Sequence, residues 1–222
     1  MAKTFGTLKN SVADWLGIRD TDTNRLPDSV RGDVVNATIK DLCRQYNFRF
    51  AEATWATQFD PTNIVPSARY TWALPTDWSR ASAIRITTET FENEIEYLDP
   101  TEFDTRFPNP ATADAGTPEY YTIWGGNLVF APTPDAAYYV NVSYFKQMAD
   151  LVGTNDTNDF LTYAWDVVLW KCLGSAALYG VEDARIAVFE QKANASLNAL
   201  IVEHSMSRTM GRQLQAAEAQ VQ

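Results

Sequence analysis

Apolar side chains recur at helical spacing near both ends of the chain and at alternate positions through its middle. Phe5, Leu8, Val12, Trp15 and Leu16 fall near steps of three and four, which predicts a first helix with one apolar stripe, stopped at Gly17. Residues 17–26 are polar and turn-like. A second helix is predicted from Pro27 or Asp28 to about Phe50. Proline suits a first helical turn, and a carboxylate there complements the helix dipole. Val30, Val34, Val35, Ile39, Leu42, Tyr46 and Phe50 supply its apolar face.

The period then changes from about 3.6 to 2. Tyr70, Trp72 and Leu74 alternate with Arg69, Thr71 and Ala73; Ile84 and Ile86 flank Arg85; Ile95 and Tyr97 alternate with Glu94 and Glu96. These are half-buried strands by the alternation rule. Tyr121–Trp124 and Leu128–Phe130 flank Gly125-Gly126-Asn127, a hairpin signal, because glycine reaches the positive φ of tight turns. Tyr138, Val140, Val142 and Tyr144 mark a further strand. An antiparallel module of about five to seven strands is expected from this stretch.

Helical spacing returns near residues 157–159, where Asn158 or Asp159 can cap the free N–H groups. Phe160, Leu161, Ala164, Val168, Leu169, Cys172 and Leu173 give a wide apolar face up to Gly180. A last helix is expected from about Glu182 to His204. After Ser205 the apolar face is lost, leaving two readings open: a disordered tail, or a helical or extended arm that orders on a partner. The predicted class is therefore α+β. Residues 1–52 and 151–204 form a helical bundle, residues 53–150 an inserted antiparallel β-module, and residues 205–222 an extended C-terminal arm.

Composition narrows the chemistry. The 222 residues carry 28 acids and 18 bases, a net charge of -10, which opposes a broad nucleic-acid-binding face. Nine acids lie between Glu89 and Glu119 with Arg106 as the sole base. Glu92, Glu94 and Glu96 alternate along one predicted strand and so are expected on one face, either a solvated surface or the lining of a channel. Paired carboxylates there also suit glycoside hydrolysis. Trp55, Trp72, Trp78 and Trp124 are expected in a β-core or an interface, with sugar stacking as the sharper alternative. One histidine and two cysteines offer little for metal or nucleophilic chemistry. Neither Ser205 nor Ser207 makes a triad with His204 by adjacency alone. Cys43 and Cys172 are expected as reduced, buried small hydrophobes. No catalytic, cofactor-binding or metal residue is assigned. No stretch approaches the roughly 20 apolar residues of a spanning helix, and the N-terminus lacks the apolar run of a secretory signal.

Four segments in this order resemble a known family: Thr7–Leu16; Tyr70–Asp77, with its aromatic-x-x-x-Leu-Pro-x-Asp pattern; Gly116–Pro134 with the strand through Tyr144; and Thr157–Leu161 with Trp170–Leu173 and Ala176-Ala177. Together they are similar to the head-to-tail adaptor, or neck connector, proteins of tailed bacteriophages over roughly residues 5–200. The resemblance implies a non-enzymatic structural virion protein, a ring of typically twelve copies, and a place in the neck between portal and tail. Assembly in the host cytoplasm and genome retention and ejection go with it. The implied partners are further copies of the chain, the portal protein, a tail or nozzle protein, and double-stranded DNA that passes without sequence-specific binding; no membrane and no cofactor are implied. In that reading the arm docks on the portal, with Arg208, Met210, Arg212 and Leu214 as its docking residues. Two other readings remain: a carbohydrate-binding or tail-fibre-like β-module, and a carboxylate-dependent hydrolase.

Overall fold

The computed structural model describes residues 3–18, 25–58, 71–87, 92–108, 115–179 and 184–219; the side chains of 206–219 lie outside the described residues. The chain divides into a helical unit, 1–51 with 147–222, and a β-unit, 52–146. The fold is α+β.

In the helical unit, α1 (Phe5–Leu16) starts at a reciprocal cap. Thr7 N donates to Thr4 Oγ1 at 3.3 Å and Thr4 N to Thr7 Oγ1 at 2.8 Å, satisfying two orphan donors. The next two donors are taken by the 153–156 loop: Phe5 N bonds Asp156 O at 2.8 Å and Gly6 N bonds Thr154 O at 2.9 Å. Gly17, at φ 68°, ends the helix where a side chain would be strained. Helix α2 (Asp28–Gln45) stops five residues short of the predicted end. Tyr46, Phe48 and Phe50 repeat at period two, so the chain leaves the helix extended and closes with a 3₁₀ turn at Arg49–Ala51.

The helix predicted across 157–180 is two helices, α4 (Asp159–Tyr163) and α5 (Trp165–Ala177), broken at the fully buried Ala164. No glycine or proline marks the break. Packing sets it: Phe160 meets Phe48 and Phe50 edge-on, with centroids 5.6 and 4.9 Å apart. Asn158 caps α4 by accepting from Leu161 N at 3.1 Å. Helix α6 (Ile186–Ala219) buries Phe189, Ala193, Leu197 and Leu200 at steps of three and four. It continues fifteen residues beyond His204, the predicted end, so His204 is not at a helix end. Cys43 and Cys172 are free and buried; burial pushes the Cys172 thiol up to about 12, and its Sγ contacts Thr38 Oγ1 at 3.5 Å.

The loop that receives α1 is held by a carboxylate. Asp156 Oδ2 accepts from Val152 N at 2.9 Å and Gly153 N at 2.7 Å, and these donors hold the Asp156 acid below its usual 3.8. A depressed folded value means stability present above the unfolded value and lost as pH falls through the folded one. Asp156→Asn should therefore flatten the part of the acid-unfolding curve below about pH 4. An acid limb of unchanged shape would show that the loop does not depend on this charge.

Among the described residues the β-unit holds two four-stranded sheets. The first has the order β1-β8-β3-β4 and is antiparallel, built from β1 (Glu52–Gln58), β8 (Tyr139–Lys146), β3 (Trp78–Thr87) and β4 (Glu92–Glu94). The second has the order β2-β7-β6-β5, built from β2 (Thr71–Ala73), β7 (Asn127–Ala131), β6 (Tyr120–Trp124) and β5 (Glu96–Tyr97). Its β5–β6 pair is parallel, which the alternation pattern did not predict. Ile84, Ile86, Val140 and Val142 of the first sheet share one core with Tyr121, Leu128 and Phe130 of the second. The second sheet's other face is covered by α3 (Pro100–Arg106), where Phe103 packs with Leu98, Val129 and Ala131. Gly125 and Gly126, at φ 57° and 79°, make the predicted β6–β7 turn.

Candidate interaction surfaces

The acidic strand is not continuous. Ile95 is buried, and its N–H still bonds Ile84 O in the first sheet at 3.0 Å. The next donor, Glu96 N, bonds Glu119 O at 2.9 Å in the second. The chain thus passes from one sheet to the other, with Glu92 and Glu94 on β4 and Glu96 on β5. All three side chains are exposed, but the single row expected from their alternation is broken at this crossing. Glu94 lies 3.5 Å from the Arg85 guanidinium. Asp99 caps α3 by accepting from Thr101 N at 2.9 Å, so two of the acids that looked available for chemistry have structural partners. Burial, then Tyr97 and Glu94, raise the Tyr121 phenol.

The charge itself is segregated. The β-unit carries 13 acids and 5 bases, net -8, while the helical unit carries 15 acids and 13 bases, net -2. Any field that repels polyanions therefore comes mainly from the β-unit.

Three of the four candidate tryptophans are structural. Trp55 and Trp72 meet edge-on at 6.2 Å, and Trp78 stacks on Tyr144 at 5.2 Å, whose hydroxyl donates to Asp77 Oδ1 at 2.9 Å. Trp124 is 47% exposed beside Thr101, Asp104 and Thr105 of α3, over a shallow cavity of about 380 Å³.

The helical unit presents surfaces that periodicity alone did not separate from its core. Trp15, counted on the α1 stripe, is 48% exposed and packs edge-on to Trp170 at 5.1 Å. Lys192 stands 4.9 Å above the Trp170 ring, and Arg185 Nη1 bonds Trp15 O at 3.1 Å. Beside Trp170 a groove of about 490 Å³ opens between α2, α5 and α6, floored by Ala37, Gly174 and Ala193 and edged by Asp41, Lys171 and Glu190. At a second cavity, of about 290 Å³, Phe50, Tyr163 and His204 converge with Arg49 and Glu203. The backbone of α6 carries Arg208, Met210, Arg212 and Leu214, whose side chains lie outside the described residues. Among the described residues no cluster of three or more His, Cys, Asp or Glu side chains is placed to hold a metal ion, and no helix is long and apolar enough to cross a membrane.

A helical unit interrupted by a two-sheet β-unit, with exposed aromatic surface on the helical unit and a last helix that runs on to Ala219, defines a class of protein that offers surfaces for assembly. Residues 3–216 match the family described as SU10 adaptor protein, and the chain belongs to that family. It is a phage head-to-tail adaptor, a structural component of the virion. A search of curated proteins found no match.

Proposed function

We propose that this adaptor closes into a ring, twelve copies in all, that joins the portal to a tail or nozzle protein in the neck and extends the DNA channel used in genome retention and ejection. Assembly takes place in the host cytoplasm. Membership of the adaptor family, across nearly the whole chain, is the observation that carries this reading. A ring requires two different faces per copy in a heterologous contact that closes, and the helical unit offers exposed aromatic surface for one of them. The -8 charge of the β-unit, including Glu92, Glu94 and Glu96, suits a wall past which double-stranded DNA slides without sticking, because phosphate repulsion opposes binding.

The last part of α6 is the docking element. Helix α6 runs on to Ala219, and residues 205–222 form the arm that reaches the portal through Arg208, Met210, Arg212 and Leu214. An isolated helix of that length is marginal in water, so it gains most from a partner. Removing 205–222 should leave soluble, folded subunits with the far-ultraviolet dichroism of a mixed α+β chain, yet abolish co-sedimentation with purified portal. Truncated subunits that join portal rings as well as the full chain would defeat the docking reading. Native mass spectrometry of the full-length complex counts the copies.

A further inference from the structure

Helix α6 carries two apolar stripes. The buried one, Phe189, Ala193, Leu197 and Leu200, faces the bundle. Val188, Ala195, Ala199 and Val202 form the other, at steps of seven, four and three. All four are exposed, the two valines to 48%. At about 3.6 residues per turn they share an arc of roughly 60°, centred roughly 145° from the buried stripe. A solvated helix face is ordinarily polar, whereas apolar residues at heptad steps mark a seam for another helix. This outer ridge is about 21 Å long, at a rise of about 1.5 Å per residue.

The groove of about 490 Å³ between α2, α5 and α6 takes Glu190, Ala193 and Asn194 from α6, on the side of the helix roughly opposite the ridge. Gly174, on its floor, lies in the interior of α5, where glycine is disfavoured. A Cβ built there stands 3.8 Å from Glu190 Cγ, an ordinary van der Waals contact, so packing within the copy does not call for glycine. The missing side chain instead leaves the floor open to a close approach from outside. We infer that the groove of one copy receives the α6 ridge of the next copy, and that this contact repeats around the ring; the inference rests on the ring reading above. Both halves of the contact belong to this chain, on opposite sides of one helix. A copy engaged through its ridge therefore keeps its groove free, which is the heterologous arrangement a closed ring requires. Charge favours the same pairing: Lys192 flanks the ridge, and the groove is edged by Asp41 and Glu190 against Lys171.

The test uses the full-length chain, with oligomers counted by native mass spectrometry on and off purified portal. Gly174→Leu fills the groove floor, and Ala195→Glu places a carboxylate on the ridge. Each variant alone should keep the wild-type dichroism and lower the yield of closed rings at least about ten-fold, because a filled floor or a charge buried without a partner opposes the contact. Mixed in equal amounts, the two should give heterodimers and no closed ring: the intact ridge of the first seats in the intact groove of the second, and the two ends left over are both spoiled. Where Gly174→Leu shifts thermal unfolding, Leu178→Glu spoils the same groove from a side chain that is 70% exposed. Closed rings at wild-type yield in both the groove and the ridge variants overturn the ridge-and-groove contact and leave the ring reading standing. A wild-type protein that forms no oligomer on or off the portal overturns the ring reading, and this contact with it.

Discussion

Phe160→Ala is expected to destabilise the helical unit by about 3–5 kcal/mol, the usual range for emptying a large aromatic site in a core. Phe160 is fully buried at the start of α4. It also supplies the ring against which Phe48 and Phe50 set their edges, at 5.6 and 4.9 Å. Truncation removes the transfer energy of the ring and leaves a void that α4, capped at Asn158 and followed by the break at Ala164, has little freedom to fill. Such a loss is a large share of the roughly 5–15 kcal/mol that holds a domain together. The β-unit has its own core, from Ile84 and Ile86 across to Leu128 and Phe130. Denaturant unfolding read by hydrogen exchange should therefore show protection in α4, α5 and α6 collapsing at lower denaturant while β3 and β8 keep theirs. A uniform shift of both units, or none, would contradict the assignment of Phe160 to a separate core.

The same aromatic contacts explain where the sequence was legible and where it was not. The end of helix α1 was readable at Gly17, where backbone conformation fixes it, while its start rests on a reciprocal Thr4–Thr7 cap that apolar spacing does not register. The β6–β7 turn was readable for the same reason, through Gly125 and Gly126. Boundaries set by tertiary packing were not. The end of α2 at Gln45 depends on Phe48 and Phe50 finding Phe160 more than one hundred residues away, although the period-two spacing of Tyr46, Phe48 and Phe50 carried the signal. The break at Ala164 leaves no local mark at all.

The acidic segment shows a further limit. Alternation places Glu92, Glu94 and Glu96 on a common face only if all three share one strand, and they lie on two. Alternation cannot register that a strand changes sheets, and at Ile95 the hydrogen-bond partner switches from Ile84 to the β6 side while the period-two pattern runs on unbroken. Family membership, by contrast, was legible from the order of four weak segments, since order across nearly 200 residues carries more information than any of them alone.

Gly6→Ala should destabilise the helical unit by about 1–3 kcal/mol despite moving to the better helix former. Alanine gains at most about 1 kcal/mol over glycine inside a helix. Against that, a Cβ at position 6 would stand 2.2 Å from Thr154 Cγ2 and 2.9 Å from Thr154 O. A threonine methyl has one bond about which to move, and the carbonyl is fixed by the bond it accepts from Gly6 N at 2.9 Å. Relief therefore means lifting α1 off the loop, which also strains the neighbouring bond from Phe5 N to Asp156 O at 2.8 Å. Each such bond is worth about 0.5–1.5 kcal/mol net, so losing them outweighs the gain in helix propensity. Thr154→Ser removes the methyl but leaves the carbonyl, and should recover part of the loss in the double variant and little alone, a coupling that a double-mutant cycle on thermal or denaturant unfolding would measure. A Gly6→Ala protein as stable as the wild type would mean that the loop carrying Thr154 yields freely, and that the closeness of α1 to residues 153–156 is not what holds the amino-terminal helix on the bundle.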